Sequence, residues 1–223
     1  MRGLSAFLLA LSWAQDKDRV FYYPRLGLHW AQYHTHQPGL PRSRSYWGGG
    51  WTGGIGMQYA ISHPTKFSAL AVQGDLGFTQ RRSTDRNLLY DWHYTLWSLD
   101  VGAMAVWRLT NMYTMNELFA VQAGLISSIL VYGKYWQEDN LTGETTQRTV
   151  RFGKRSLSDA RRGEIALQVG CASGYLLGPG YLVMGARFWH GINNIAGGLF
   201  KSWHNYGVYM DISYWYDPAR TRE

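Results

Sequence analysis

The feature that most constrains the fold is an alternation of apolar with small or polar residues that continues far beyond the length of an ordinary strand. In 96–109, one set of alternate positions runs through Trp97, Val101 and Trp107, and the other set contains Asp100 and Arg108. A period of two residues is typical of a β-strand with one apolar face. Strands of soluble proteins average about 5–6 residues, whereas a strand that crosses a membrane needs about 9–11. The length therefore favours membrane-crossing strands, in which the apolar face meets lipid and the other face lines the lumen. Alternation alone is also consistent with a soluble sandwich that buries its apolar face.

Eight segments carry this pattern, and their spacing predicts the topology. The predicted strands are 20–33, 47–62, 66–80, 96–109, 117–132, 164–177, 181–194 and 205–216. The connections alternate between short ones, at 63–65, 110–116 and 178–180, and long ones, at 34–46, 81–91, 133–160 and 195–204. Short periplasmic turns and long outer loops are typical of bacterial outer-membrane barrels. We predict an all-β fold, an eight-stranded antiparallel up-and-down transmembrane β-barrel over 15–216.

The two ends of the chain predict export and a short tail. Met1 and Arg2 precede an apolar run over 4–11, and Ser12-Trp13-Ala14 resembles a cleavage site, so 1–14 is interpreted as a signal peptide. No other stretch approaches the roughly 18 consecutive apolar residues of a membrane helix. Residues 217–223 are interpreted as a polar C-terminal tail. An exported barrel of this kind is expected to be integral to the bacterial outer membrane.

Several sequence blocks resemble a known family. They are 70–80 (LAVQGDLGFTQ), 97–102 (WSLDVG) with 107–109 (WRL), 119–124 (FAVQAG) and 191–195 (GINNI). Their order and spacing resemble the "outer membrane protein β-barrel" or porin-like family of Bacteroidetes, which includes PorT-like proteins. The resemblance implies an outer-membrane location and an eight-stranded barrel. It leaves the activity open, because most members have none assigned.

The polar positions of the alternation predict what fills the barrel. An eight-stranded barrel is just wide enough for its own side chains, and unpaired charges buried there cost several kcal/mol. We therefore expect a structural network of ion pairs and hydrogen bonds that plugs the lumen. Its predicted members are Gln73, Asp75, Asp100, Arg108, Gln122, Glu164, Gln168, Arg187 and Asp211.

The net charge of +7 is carried mainly by the predicted loops, which suggests polyanionic partners. Arginine pairs phosphate well, so lipopolysaccharide contacts are expected at Arg81, Arg82, Arg86, Lys154 and Arg155. The longest loop, 133–160, is the expected site for a protein partner. The chain has no RNP, zinc-finger or helix-turn-helix pattern, so no nucleic acid partner is expected.

The sequence contains no motif for catalysis, a metal or a cofactor, and none of the three is expected. Cys171 is the single cysteine, and the His34-x-His36 pair has no nearby carboxylate. The candidate residues for a lipid A-modifying enzyme are Ser127, Ser128, His93 and Asp91, but no motif links them. The expected role is structural or interactive: scaffolding, adhesion or assistance in secretion. The alternatives are a narrow porin-type channel, a lipid A-modifying enzyme, and a soluble secreted barrel with a ligand in an apolar interior.

Overall fold

A computed structural model describes residues 20–36, 44–61, 68–110, 116–153, 158–197 and 202–218. Its strands are β1 Val20–His36, β2 Arg44–Ala60, β3 Ala69–Arg86, β4 Tyr90–Arg108, β5 Glu117–Asp139, β6 Thr145–Thr149, β7 Gly163–Leu177, β8 Gly180–Gly191 and β9 Ser202–Tyr216. The predicted signal peptide lies outside the described residues, as do the last five positions of the predicted tail, 219–223. Asp217, the first position of that tail, is buried, and its amide donates a hydrogen bond to the carbonyl of Pro179 at 3.0 Å. Within the described part of the chain, no helix is long and apolar enough to cross a membrane.

Eight strands close into a ring, which confirms the predicted barrel. Hydrogen-bonded neighbours follow the order β4-β3-β2-β1-β9-β8-β7-β5, and a further pairing of β4 with β5 closes the sheet. The first and last strands are joined along their length, from Tyr22 opposite Tyr216 to His36 opposite Ser202. The short strand β6 lies outside the ring and pairs with the outer half of β5. Closure leaves the eight ring strands without a free edge within the barrel, as a membrane interior requires.

The alternation seen in the sequence separates the inside of the barrel from the outside. On β4, Leu99 and Val101 are 46% and 56% exposed, whereas Asp100 and Arg108 are 1% and 0% exposed. The same division holds on β3, where Leu76 is exposed and Asp75 is buried. A soluble barrel would bury its large aliphatic side chains and expose its carboxylates. The apolar exterior therefore faces lipid, and the polar face lines the lumen.

Aromatic side chains mark the two edges of the lipid-facing band. On β4, the exterior positions between Trp97 and Trp107 are filled by small or aliphatic residues, and the two tryptophans lie ten residues apart in sequence. At about 3.3 Å per residue this segment measures about 33 Å along the strand. With a strand tilt near 40° its height is about 25 Å, which matches the apolar band of outer-membrane barrels.

The strands extend further on the outer side than the sequence suggests, and the predicted long loop at 81–91 was wrong. β3 continues to Arg86, β4 begins at Tyr90, and the turn between them is tied by the Asn87 side chain. Its Oδ1 accepts hydrogen bonds from the amides of Leu89 at 2.8 Å and Tyr90 at 2.7 Å. Above the membrane the outward face of β3 no longer meets lipid, and its inward residues Arg81, Ser83 and Asp85 are polar although buried. The apolar alternation therefore stops, and the sequence resembles a loop.

The other outer connections show the same extension. Within the predicted loop 133–160, β5 continues to Asp139 and the chain returns as β6. β8, in contrast, ends at Gly191, before the predicted boundary at 194. The Asn194 side chain terminates it, because Oδ1 accepts hydrogen bonds from the amides of Ala196 and Trp203, both at 2.9 Å.

Candidate functional site

The lumen holds all nine residues of the predicted polar network. Their exposure ranges from 0% to 6%, and the set comprises Gln73, Asp75, Asp100, Arg108, Gln122, Glu164, Gln168, Arg187 and Asp211. They are contributed by strands on opposite sides of the ring, so their side chains meet across its interior. Seven of the nine, all except Gln122 and Gln168, make side-chain contacts that form groups stacked along the barrel axis. Sequence reasoning missed one or more members of each group.

Arg81 organises the outer half of the lumen, and its prediction as a lipopolysaccharide contact was wrong. It is 1% exposed and donates hydrogen bonds to Glu164, to Ser128 at 2.7 Å and to Asp100 at 3.2 Å. These contacts join β3 to β4, β5 and β7. The error arose because β3 was predicted to end at Gln80. Arg81 is an even number of residues from Asp75 and so faces the same side of the strand. A predicted strand that was one residue longer would have placed Arg81 inside the barrel.

Aromatic and amide groups complete the surroundings of Arg81. Its guanidinium lies 4.5 Å from the ring centroid of Trp189. The indole Nε1 of Trp189 donates a hydrogen bond to His29 Nε2 at 2.9 Å. Asn205 Nδ2 donates to Glu164 Oε1 at 2.8 Å. None of His29, Trp189 or Asn205 was predicted for the lumen network, although each occupies the inward parity of its strand.

A second group surrounds Asp75 near the middle of the lumen. Its Oδ2 lies 3.2 Å from Arg187 Nη1 and 3.9 Å from Arg25 Nη1. The hydroxyl of Tyr23 donates a hydrogen bond to Oδ1 of the same carboxylate. Arg187 Nε lies 3.3 Å from Asp211 Oδ2, which continues the chain of alternating charges. Arg25 was not predicted, because it lies among the apolar and aromatic residues of β1.

Arg108 forms a third group near the inner end of the barrel. Gln58 Oε1 accepts hydrogen bonds from Arg108 Nη2 at 2.8 Å and from Nε at 3.2 Å. The guanidinium also lies 4.5 Å from the ring centroid of Phe21. Gln58 was missed because the parity of the glycine-rich β2 is hard to define from sequence.

The charges of the three groups balance. Among the described residues, the membrane-crossing part of the lumen contains four buried arginines and four buried carboxylates: Arg25, Arg81, Arg108, Arg187, Asp75, Asp100, Glu164 and Asp211. Buried charges are tolerated when each has oppositely charged or hydrogen-bonding neighbours. The balance supports a structural role for the network, since a selective pore would present an excess of one sign.

Aromatic side chains pack at both ends of the network. At the outer end, the Trp203 ring centroid lies 6.0 Å from that of Tyr33 and 5.3 Å from that of Tyr94, and all three residues are buried. At the inner end, the Tyr23 and Trp215 centroids are 5.7 Å apart. The interior is thus filled by ion pairs in its middle and by aromatic rings at its ends.

Asp85 lies beyond the membrane-crossing part of β3, beside the outer aromatic cluster. It is fully buried, and the hydroxyl of Thr35 donates a hydrogen bond to it. Burial raises the pKa of the Asp85 carboxyl to about 6, and hydrogen bonds from Ser45 and Thr35 oppose this rise. At mildly acidic pH the carboxyl is therefore partly protonated, which lowers the cost of enclosing it among aromatic rings.

Of the four other cations predicted to bind lipopolysaccharide, two lie on the barrel exterior and two lie outside the described residues. Arg82 and Arg86 are exposed on the exterior of β3, above the lipid-facing band. Arg86 Nε pairs with Asp91 Oδ2 at 3.0 Å, and its guanidinium lies 5.3 Å from the Tyr46 ring centroid. Lys154 and Arg155 lie outside the described residues.

The residues considered for catalysis or metal binding are not brought together. Ser127 lies on the exposed face of β5, whereas Ser128 faces the lumen and accepts a hydrogen bond from Arg81. His93 Nδ1 is 3.0 Å from Thr84 Oγ1 on the exterior. His34 Nε2 is 3.2 Å from the hydroxyl of Tyr206. Across the described ranges, no three His, Cys, Asp or Glu side chains are arranged to hold a metal ion.

Comparisons with known proteins identify similar shapes but no sequence family. No family model matches the chain, and no curated protein matches it significantly. Neisserial surface protein A is 14% identical, with 86% of this chain and 96% of that chain covered and a TM-score of 0.43. Ail of Yersinia pestis is 14% identical, with coverage of 88% and 98% and a TM-score of 0.38. OprG from Pseudomonas aeruginosa is 10% identical, with coverage of 89% and 97% and a TM-score of 0.45. Because these identities and TM-scores are low, the fold assignment rests on the strand pairing.

The geometry determines the location. A closed antiparallel barrel with an aliphatic exterior of membrane height, aromatic edges and a charged interior is an integral membrane protein. Even-numbered antiparallel barrels of this construction belong to the bacterial outer membrane. The chain is therefore an integral outer-membrane β-barrel.

We predict that Arg81→Met will lower the free energy of unfolding in lipid vesicles by about 3–5 kcal/mol, because it leaves Asp100 and Glu164 buried without their cation. The triple variant Arg81→Met/Asp100→Asn/Glu164→Gln also neutralises the two carboxylates that Arg81 contacts, so no buried charge loses its partner and most of this loss should be recovered. Denaturant titration followed by tryptophan fluorescence measures both. Equal stability of the single variant and the parent protein would contradict the assignment of Arg81 to the lumen.

Proposed function

We propose that the protein is an outer-membrane interaction barrel, which keeps a plugged lumen and presents its outer strands to partners at the cell surface. The observation that carries the proposal is the position of Arg81, whose contacts with Asp100 and Glu164 cross the interior of the ring. A barrel of eight strands has little room for solute beside such contacts. The interior contributes stability, and the exterior above the membrane remains available for recognition.

The alternative of a narrow porin-type channel has less support. A solute path would need to pass the outer aromatic cluster of Tyr33, Tyr94 and Trp203 and then the ion pairs below it. A lipid A-modifying activity is also not favoured, because Ser127 and Ser128 face opposite sides of β5. We therefore propose a role without catalysis.

Planar bilayer recordings distinguish the plugged barrel from the channel. We expect no stepwise conductance from the purified protein, and none from Trp203→Ala, because the ion pairs still fill the lumen after the outer aromatic cluster is weakened. Insertion is verified by the slower migration of the recovered protein on SDS gels after boiling. Reproducible single-channel steps that grow in the Trp203→Ala variant would overturn the proposal in favour of a solute path.

The interaction surface that we propose for a protein partner is the hairpin of β5 and β6, within the predicted partner loop 133–160. The amide of Val150 donates to the carbonyl of Gly133 at 2.9 Å, and that of Asp139 donates to Glu144 at 2.9 Å. In an antiparallel pair, alternate amides of a strand point toward its neighbour, and these two hydrogen bonds fix which ones do so in β6. The amides of 146 and 148 point toward β5, and those of Thr145, Gln147 and Thr149 point toward the other edge. In the described part of the chain, no strand pairs with that edge.

The free edge of β6 suits an extended segment of a partner protein. β6 contains no proline or bulge, which commonly protect exposed edges, and its side chains are all exposed. An added strand would take its affinity from main-chain hydrogen bonds. The resemblance to PorT-like proteins of Bacteroidetes suggests scaffolding, adhesion or assistance in secretion as the cellular role of such binding.

Selection of phage-displayed peptides against the protein in lipid nanodiscs tests this edge. We expect extended, β-prone binders whose affinity falls at least about tenfold in Gln147→Pro, because proline removes an outward amide without removing a β5 hydrogen bond. The control Gln147→Ala keeps the amide and should bind normally. Binders that tolerate Gln147→Pro would exclude β6 as the docking edge.

For the lipid partner, we propose contacts between exposed cations above the apolar band and the phosphates of lipopolysaccharide. Arg82 and Arg86 are the described members of the predicted set that face outward. Guanidinium groups bind phosphate through paired hydrogen bonds, which favours arginine at this level of the membrane.

A further inference from the structure

A row of polar residues crosses three neighbouring strands on the barrel exterior. Strand register places Arg82 of β3 opposite Thr95 of β4, and Thr95 opposite Lys134 of β5. Residues directly opposite one another in antiparallel strands lie on the same face of the sheet. Adjacent strands are about 4.8 Å apart, so the Cα atoms of Arg82 and Lys134 are separated by about 10 Å. We call Arg82, Thr95 and Lys134 the outer cation row.

The outer cation row lies directly above the aromatic edge of the lipid-facing band. Trp97 and Tyr132 are opposite one another in the row below, and their ring centroids are 5.1 Å apart. Lys134 Nζ lies 5.7 Å from the Tyr132 ring centroid, which ties the ammonium group to this edge. Aromatic belts mark the headgroup level of a membrane. The cations are therefore one step along the strands, about 7 Å, above that level.

The two cations of the row are not neutralised by the protein. Among the described residues, neither Arg82 nor Lys134 forms an ion pair, whereas Arg86 pairs with Asp91 at 3.0 Å. The next exterior row contains Thr84 and His93, which bind each other at 3.0 Å and bring no negative charge. Thr95 is only 6% exposed between the two long side chains. The row thus has two free positive charges in a partly sheltered setting.

We propose that Arg82, Thr95 and Lys134 form a binding site for the phosphate group of an outer-leaflet lipid. The guanidinium and the ammonium group approach the phosphate from two sides, and the acyl chains below it lie against the aliphatic exterior of β4 and β5. The site lies directly above the apolar band, so a phosphate bound there can belong to a lipid whose acyl chains contact that band. This location favours a lipid over free phosphate. The proposal deepens the lipopolysaccharide contact proposed above and rests on it.

The test compares binding of bisphosphorylated lipid A and of dephosphorylated lipid A by native mass spectrometry of the protein released from nanodiscs. We expect the protein to retain the phosphorylated lipid preferentially. The Arg82→Gln/Lys134→Gln variant should weaken that retention about tenfold, as loss of charge-assisted hydrogen bonds predicts. The matched control Arg44→Gln/Arg161→Gln removes two exposed cations at other positions of the outer end and should leave retention unchanged.

Three other outcomes would overturn the proposal, and they are distinguishable. Equal weakening in the control would mean diffuse attraction by the whole basic exterior, which preserves the broader lipopolysaccharide contact but removes this site. No preference for the phosphorylated lipid in any variant would overturn both. Displacement of the lipid by millimolar inorganic phosphate, with phosphate binding equally in detergent without lipid, would assign the site to a free anion.

Discussion

The absence of water in the membrane interior is the constraint on which the rest of the structure depends. Backbone groups in lipid need partners within the protein, so the sheet must close, and the pairing of β4 with β5 closes it. Closure with eight strands fixes an interior that only side chains can fill. Charges on the inward face then need each other, which explains why Arg81 lies between Asp100 and Glu164. The plugged lumen that we propose would follow from the strand number.

The membrane-crossing region could be predicted from sequence because every second residue of each strand faces lipid and is therefore apolar. The exposed aliphatic positions of β4, such as Leu99 and Val101, alternate strictly with inward positions such as Asp100. Strand order and closure followed from this pattern and from the short inner turns. The nine predicted polar residues all lie in the lumen for the same reason. In a strand whose alternate side chains face lipid, the side chains between them face the barrel interior.

The strand ends on the outer side could not be predicted, because outward-facing residues need not be apolar above the lipid. Above the aromatic edge both faces of β3 carry polar residues, so a continued strand and a loop have similar sequences. Arg81 was therefore assigned outward, and the free edge of β6 was not foreseen. His29 and Trp189 were not predicted as members of the network, although the alternation places both at inward positions. The sequence does not show which charged residue an inward aromatic ring contacts. Cross-strand register, which creates the outer cation row, depends on pairings between residues far apart in sequence.

The most direct test of the account uses the single native cysteine. Cys171 lies on the exposed face of β7, opposite Val121 and Ala186 within the apolar band. A nitroxide attached to it in lipid vesicles should collide readily with oxygen and rarely with a water-soluble nickel complex, as expected for a side chain surrounded by acyl chains. Ready collision with the nickel complex would place this face of the strand in water. It would contradict the assignment of the apolar face to lipid and of the charged face to the lumen.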